Sequence, residues 1–222
     1  ERKFDKTRFT RVDSDTVENL IVKEEQKASS LNEASREVLT GVFESQLPKI
    51  EKKEFNVQTL AMGENGQPIV ITQTEYMRRM KEMAAIQPGM SFYGEMPDMF
   101  NVLLNEEHPL IKRVLENAEK ECAGKLQPID AKKAQLEESR KDMYDARKGK
   151  KEEEVTESEK DALFEVEKEI TAAKSEKEAI LAEYAAGDNT VKQLIDITLL
   201  QNNMLTGEAL NKFVKRSIEL MM

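Results

Sequence analysis

The chain has 222 residues and a net charge of −9, and 35% of its residues are charged against 39% hydrophobic, which predicts a modest core and a long solvated part. The acidic balance argues against nucleic acid and an anionic membrane as partners, and no apolar run of bilayer length and no signal-peptide pattern is present, so we expect a cytoplasmic protein. The single cysteine, Cys122, excludes an internal disulfide and favours a reducing compartment.

The first 50 residues predict short elements and then a helix. Because the chain begins with Glu1 instead of Met, we expect it to be part of a longer protein. Residues 8–12 alternate like a short strand, and residues 15–18 have the spacing of a capping box. The segment 30–47 carries apolar residues at helical spacing and stops before Pro48, which predicts a helix.

The next segment predicts a small sheet. Residues 54–62 and 68–73 alternate between apolar and polar side chains, as strands with one buried face do. The Asn65-Gly66 pair between them favours the tight turn of a β-hairpin. A further short strand is predicted at residues 100–104, and the fold class is therefore α+β, with helices packed on a small hairpin or sheet.

A methionine-rich helix is predicted between these strands. Six of the eleven methionines lie between positions 77 and 99. Methionine is unbranched and polarizable, so a methionine surface can adapt to varied apolar partners, whereas the alternative is packing against the hairpin. The residues alone favour packing for Tyr76 and Met77 and a binding surface for Met80 and Met83.

A long helical arm is predicted in the second half of the chain. His108 and Pro109 open a helix, with proline in the first turn where its missing N–H is not needed. Residues 125–187 are then rich in Lys, Glu and Ala. A heptad-like stripe runs along the second half of this segment at Leu163, Val166, Ile170, Ala173, Lys177, Ile180 and Tyr184. We expect an antiparallel coiled-coil hairpin that turns near residues 148–154 and projects roughly 45 Å.

The last 35 residues, 188–222, predict two short apolar helices joined by a tight turn. Asp188 is expected to cap the first helix, and Thr206 or Gly207 to start the second. Such helices can bury their apolar faces against the same helices of a second copy in a two-fold four-helix bundle, or against their own domain. We favour the dimer, with the interface residues Val191, Leu194, Ile195, Thr198, Leu210, Phe213, Val214 and Ile218.

Signals for catalysis are close to absent. His108 is the only histidine, which excludes a multi-histidine metal site in one chain, and its place beside Pro109 indicates a helix-start residue. Cys122 has no base nearby in sequence and is interpreted as a packing residue. We therefore expect no enzyme activity, no metal and no cofactor in this chain.

Three segments of the chain are informative when taken together: QTEYMRRMKEMAAIQPGMSFYGEMPD, NVLLNEEHPLIKRVLE and VKQLIDITLLQNNMLTGEALNKFVKRSIELM. In this order they resemble the C-terminal domain of the heat-shock protein 90 chaperones, and within that family the bacterial high-temperature protein G branch. The resemblance implies a dimerisation and client-contact domain at residues 29–119 and 188–222, with residues 1–28 as the junction with a preceding middle domain. The region 120–187 is an insertion that the family's C-terminal domain lacks, so the resemblance says nothing of its role.

The resemblance also implies partners and cofactors. The partners are a second copy and non-native client proteins, and the client-contact helix falls on residues 74–86, with the contact positions Tyr76, Met77, Met80, Met83 and Ile86. ATP and Mg would bind to an N-terminal domain upstream of Glu1. The alternative from a different class is a non-enzymatic coiled-coil scaffold that docks one specific protein through the hairpin.

Overall fold

The computed structural model describes residues 31–73, 75–86, 97–148, 155–219 and 221. The predicted strand at 8–12, the helical turn after it and the junction 1–28 lie outside the described residues. So do residues 149–154 of the turn predicted near 148–154. The elements in chain order are α1 (Glu33–Glu44), β1 (Lys53–Leu60), β2 (Ile69–Gln73), α2 (Glu75–Ile86), β3 (Asp98–Asn105), α3 (Pro109–Arg147), α4 (Glu157–Gly187), α5 (Asn189–Gln201) and α6 (Gly207–Glu219). The α+β class is confirmed.

Helix α1 begins at an asparagine cap and buries one face. The side-chain oxygen of Asn32 accepts a hydrogen bond from the Ser35 N–H at 2.8 Å, which satisfies one of the free donors of the first turn. The buried side chains fall one helical turn apart on the same face, at Val38, Leu39, Val42 and Phe43. This face packs on β1 and on the long helices α3 and α4.

The three strands form one mixed sheet in the order β1-β3-β2. Strand β3 lies parallel to β1 and antiparallel to β2, so β1 and β2 are not neighbours. The predicted β-hairpin is therefore wrong. The physical reason is burial, because Val102, Leu103, Leu104 and Asn105 form the most deeply buried stretch of the sheet and need a hydrogen-bonded partner on both sides.

The connection between β1 and β2 is organised by the buried side chain of Asn105. Its Oδ1 accepts hydrogen bonds from the Met62 N–H at 3.1 Å and from the Glu107 N–H at 3.2 Å. Its Nδ2 donates to the Gly63 carbonyl at 2.8 Å. The loop that sequence alone interpreted as a hairpin turn is thus a wider connection held by one amide from the central strand.

Replacing Asn105 with alanine should lower the free energy of unfolding by about 2–3 kcal/mol, because the N–H of the buried Met62 would lose its partner and the Glu107 N–H and the Gly63 carbonyl would each lose one hydrogen bond. Urea denaturation followed by circular dichroism measures the change. Asn101→Ala is the control, because the Asn101 side chain accepts a long, exposed hydrogen bond of 3.5 Å from Asn56 and its loss should cost less than about 0.5 kcal/mol. Equal losses in the two variants would contradict this role of Asn105.

Helices α3 and α4 form the arm. The Nδ1 of His108 accepts a hydrogen bond from the Leu110 N–H at 3.1 Å, which confirms its interpretation as the residue that starts α3. Helix α3 is continuous across Pro128. A capping box of Thr156 and Glu159 starts α4.

The two arm helices run in opposite directions. Lys125 contacts Glu183 at 2.9 Å and Lys132 contacts Glu169 at 3.1 Å, so later residues of α3 meet earlier residues of α4. The predicted stripe faces inward, with Leu163, Ile170, Ala173 and Lys177 buried and Val166, Ile180 and Tyr184 half-buried. The supercoiled packing of a true coiled coil stays a prediction.

Candidate functional site

The first terminal helix, α5, belongs to the core of the single chain. The carboxylate of Asp188 accepts hydrogen bonds from the Thr190 N–H at 2.7 Å and the Val191 N–H at 3.2 Å, which confirms the predicted cap. Helix α5 then packs on β2 and α1. Its buried residues are Val191, Leu194, Ile195, Thr198 and Leu199.

Four residues of the predicted dimer interface are buried within the single chain. Val191, Leu194, Ile195 and Thr198 were expected to meet a second copy, and the structure places them against their own domain instead. Leu194, for example, is only 6% exposed. The reason is that α5 carries apolar residues around most of its circumference. Its larger apolar face packs beside the sheet, and its smaller apolar face stays exposed.

The second terminal helix, α6, packs on the domain along one edge only. Leu210 and Phe213 are half-buried against the core, so these two predicted interface residues have a packing role in the single chain. Val214 is exposed, and Ile218 is 51% exposed. None of the described residues of α6 is buried.

Polar contacts fix α6 on α5. The Arg216 guanidinium pairs with Asp196, and its Nε donates to the Gln193 Oε1 at 2.9 Å. The amide of Gln193 donates to the Ser217 hydroxyl at 2.7 Å. Because these contacts hold the two helices at a defined angle, the apolar side chains beside them are presented together.

We define the terminal apolar surface as the five large apolar residues that α5, α6 and the residues after them leave exposed. They are Ile197, Leu200, Val214, Ile218 and Met221. The sequence analysis did not name Ile197 and Leu200 among the candidate residues. Both lie on the helix face opposite Val191 and Ile195, so a second apolar face on one short helix was the signal that could have found them.

Helix α2 exposes a second set of apolar side chains. Ala84 is buried, Met80 is half-buried, Met83 is 45% exposed and Ile86 is 81% exposed. The helix contacts β3, where Met99 is also exposed. The side chains of Tyr76 and Met77 lie outside the described residues.

The remaining candidate residues are His108, which caps α3, and Cys122. Cys122 is buried, and its burial raises the pKa of the thiol, which favours the neutral form and a packing role. Among the residues that the structure describes, no group of three or more His, Cys, Asp and Glu side chains could hold a metal ion. In the same part of the chain no helix combines the length and the apolar composition needed to cross a bilayer.

The chain is similar along its whole length to bacterial chaperones. It is 56% identical over 220 residues to chaperone protein HtpG of Bacteroides fragilis and 55% identical over 220 residues to that of Bacteroides thetaiotaomicron, in each case over 99% of the chain. It is 44% identical over 221 residues, its full length, to chaperone protein HtpG of Porphyromonas gingivalis. The chain spans 32% of the length of each of these relatives. No protein-family model and no solved structure matches it.

Proposed function

The chain belongs to the HtpG family of heat-shock protein 90 chaperones, and from this premise we propose that it is the homodimerisation and client-binding domain of an ATP-dependent chaperone. In this proposal the chain has no enzyme activity and binds no cofactor, and ATP and Mg act in another domain of the parent protein. Its partners are a second copy and non-native proteins in the cytoplasm, with no role for nucleic acid or a membrane.

The observation that carries the dimer proposal is the terminal apolar surface. Five large apolar residues stay exposed on two adjacent helices after the core of the single chain is complete. A concentrated apolar patch at the surface is typical of a protein interface. Two copies related by a two-fold axis would each cover the same patch of the other, as isologous dimers do.

Exposed apolar side chains on α2 support the client-binding part of the proposal. Met83 and Ile86 point away from the domain body while Ala84, on the same helix, is buried. This arrangement anchors the helix and leaves flexible apolar groups available to non-native chains of varied sequence.

Replacing Met83 and Ile86 together with serine should weaken binding of an unfolded model client about tenfold, because two exposed apolar contacts of roughly 0.7 kcal/mol each would be lost. Fluorescence anisotropy of a labelled, permanently unfolded protein measures the affinity. The melting temperature should change by less than about 2 °C, since both side chains are already exposed.

A matched control for this test is Phe164→Ser, which removes an exposed apolar side chain from the arm instead of α2. It should leave client affinity within about twofold. Unchanged client affinity in the Met83/Ile86 variant would contradict the client surface, and a large fall in its melting temperature would assign the two residues to the core.

A second candidate function is a scaffold that docks one specific protein through the arm. The observation that favours it is that Phe164 is 64% exposed on the arm, whereas the exposed Tyr144 of α3 donates its hydroxyl to Glu167 of α4 at 3.0 Å and so helps to join the two arm helices. In that case Phe164→Ser would abolish capture of a single stoichiometric partner, and the chain would show no general affinity for unfolded proteins.

A further inference from the structure

A charged side chain occupies a core position of the arm. Lys177 lies on the inward stripe of α4 and is only 5% exposed. Its ammonium donates to the Glu37 carboxylate of α1 at 3.0 Å and to the Asp130 carboxylate of α3 at 2.8 Å. Lys133 of α3 donates to the other oxygen of Glu37 at 2.7 Å. We call these four residues the base clamp, because they join all three helices where the arm leaves the domain.

Hydrogen bonds within the base clamp favour the charged forms of Lys177 and Glu37. Burial lowers the pKa of Lys177, but hydrogen bonds to Asp130 and Glu37 outweigh it and leave this pKa above its ordinary value. Burial raises the pKa of Glu37, but hydrogen bonds from Lys133 and Lys177 outweigh it and leave that pKa below its ordinary value. Two cations and two anions therefore compensate one another.

The stability of the fold does not by itself explain such a cluster. Removing charges from water costs several kcal/mol per ion, and a well-packed apolar replacement is often as stable or more stable. An apolar stripe that repeats every seven residues, by contrast, tolerates a shift of the helices by one repeat, roughly 10 Å. A single ammonium that needs carboxylates from two different helices is satisfied in only one register.

One turn further along, α1 and α4 touch closely. A Cβ added to Gly41 would lie 2.7 Å from Cδ1 of Leu181. Gly41 follows Glu37 by four residues, and Leu181 follows Lys177 by four, so both contacts lie on the same pair of helix faces. The ion pairs and this close contact together fix the distance and the rotation between α1 and α4.

Helix α4 is joined to the terminal helices at its C-terminal end. Only Asp188 separates α4 from α5. The Tyr184 hydroxyl donates to the Asp188 carboxylate at 3.2 Å, and the other oxygen of that carboxylate caps α5. Burial, followed by the nearby Asp188 charge, raises the pKa of Tyr184, so the hydroxyl remains a donor at neutral pH.

We propose that the base clamp holds the arm in one orientation on the domain, so that the arm acts as a rigid lever joined to α5. A force applied at the tip of the arm, for example by a bound partner, is then transmitted to the terminal helices because the arm does not bend where it leaves the domain. The orientation of the arm within one chain is independent of the dimer and of client binding.

The test is the distribution of distances between the domain body and the tip of the arm, measured by pulsed electron paramagnetic resonance on the whole chain. Spin labels are attached at two exposed positions, Glu51→Cys and Ser158→Cys, in a Cys122→Ala background. Labelled chains are diluted with unlabelled ones so that only distances within a chain are recorded. The unmodified clamp should give one narrow distribution.

The clamp is then neutralised as a unit with Glu37→Leu, Asp130→Leu, Lys133→Met and Lys177→Met, which leaves no unpaired charge. The distribution should become at least about twice as wide, while the melting temperature stays the same or rises. The matched control is Lys132→Met with Glu169→Leu, which removes an exposed ion pair of 3.1 Å outside the clamp and should leave the width unchanged.

A narrow distribution in the neutralised variant would overturn the proposal, and so would a broad distribution with the clamp intact. If the fourfold variant does not fold, Lys177→Met with Asp130→Asn keeps the Glu37–Lys133 pair and is interpreted in the same way. The measured distances lie within one chain, so they should stay as expected even if the chain does not dimerise. Failure of the proposed function and failure of the lever are therefore distinguishable.

Discussion

Replacing Ile218 with aspartate should convert the proposed dimer into monomers that remain folded. Ile218 is 51% exposed in the single chain, so a carboxylate at this position stays hydrated in the monomer. In a two-fold dimer each copy would bury one such charge without a partner, at a cost of about 3 kcal/mol or more, which raises the dissociation constant at least about 100-fold. Sedimentation velocity over a concentration series measures the shift.

Val214→Asp should act in the same direction, because Val214 belongs to the same terminal apolar surface. Ala209→Asp is the matched control, since Ala209 is exposed on the opposite side of α6 and gains the same charge. This variant should remain dimeric with an unchanged dissociation constant. If Ile218→Asp and Val214→Asp both associate as strongly as the unmodified chain, the terminal apolar surface is not the dimer interface.

Leu194→Asp should have a different and larger effect, the loss of most of the folding free energy. The side chain is 6% exposed and packs in the core of its own chain. An unpaired carboxylate there costs more than about 4 kcal/mol, and a domain has only about 5–15 kcal/mol in total. The sequence analysis placed Leu194 in the dimer interface, whereas its burial in the single chain predicts that the aspartate destabilises the fold itself.

Chemical denaturation followed by circular dichroism measures the effect of Leu194→Asp. Leu200→Asp is the control on the same helix, because Leu200 is exposed and its aspartate should lower the free energy of unfolding by less than about 1 kcal/mol. A Leu194→Asp chain with unchanged stability would show that this face of α5 is not in the core.

Local signals predicted most elements well. His108, Thr156 and Asp188 begin their helices as their side-chain chemistry predicts, because a cap depends only on hydrogen bonds within three residues. The spacing of the apolar residues predicts the inward stripe of α4, because a helix presents every third and fourth residue on one face. The family resemblance was also carried by segments that are contiguous in sequence.

These local signals could not predict contacts between segments that are distant in sequence. The Asn65-Gly66 pair favoured a hairpin, but β3 takes the centre of the sheet because its buried residues need two neighbours. The spacing of Lys177 indicates one member of a heptad stripe. Its partner Glu37 is 140 residues away, and no residue near Lys177 in sequence identifies it.

The amino-acid sequence by itself determined where helices begin, which faces of the arm are apolar and which chaperone family the chain belongs to. Only the tertiary structure decided the order of the strands, the register of the arm and which apolar face of α5 stays exposed. The reason is that caps and periodicity depend on neighbours within one or two turns, whereas burial is a competition among all apolar faces for the same limited core.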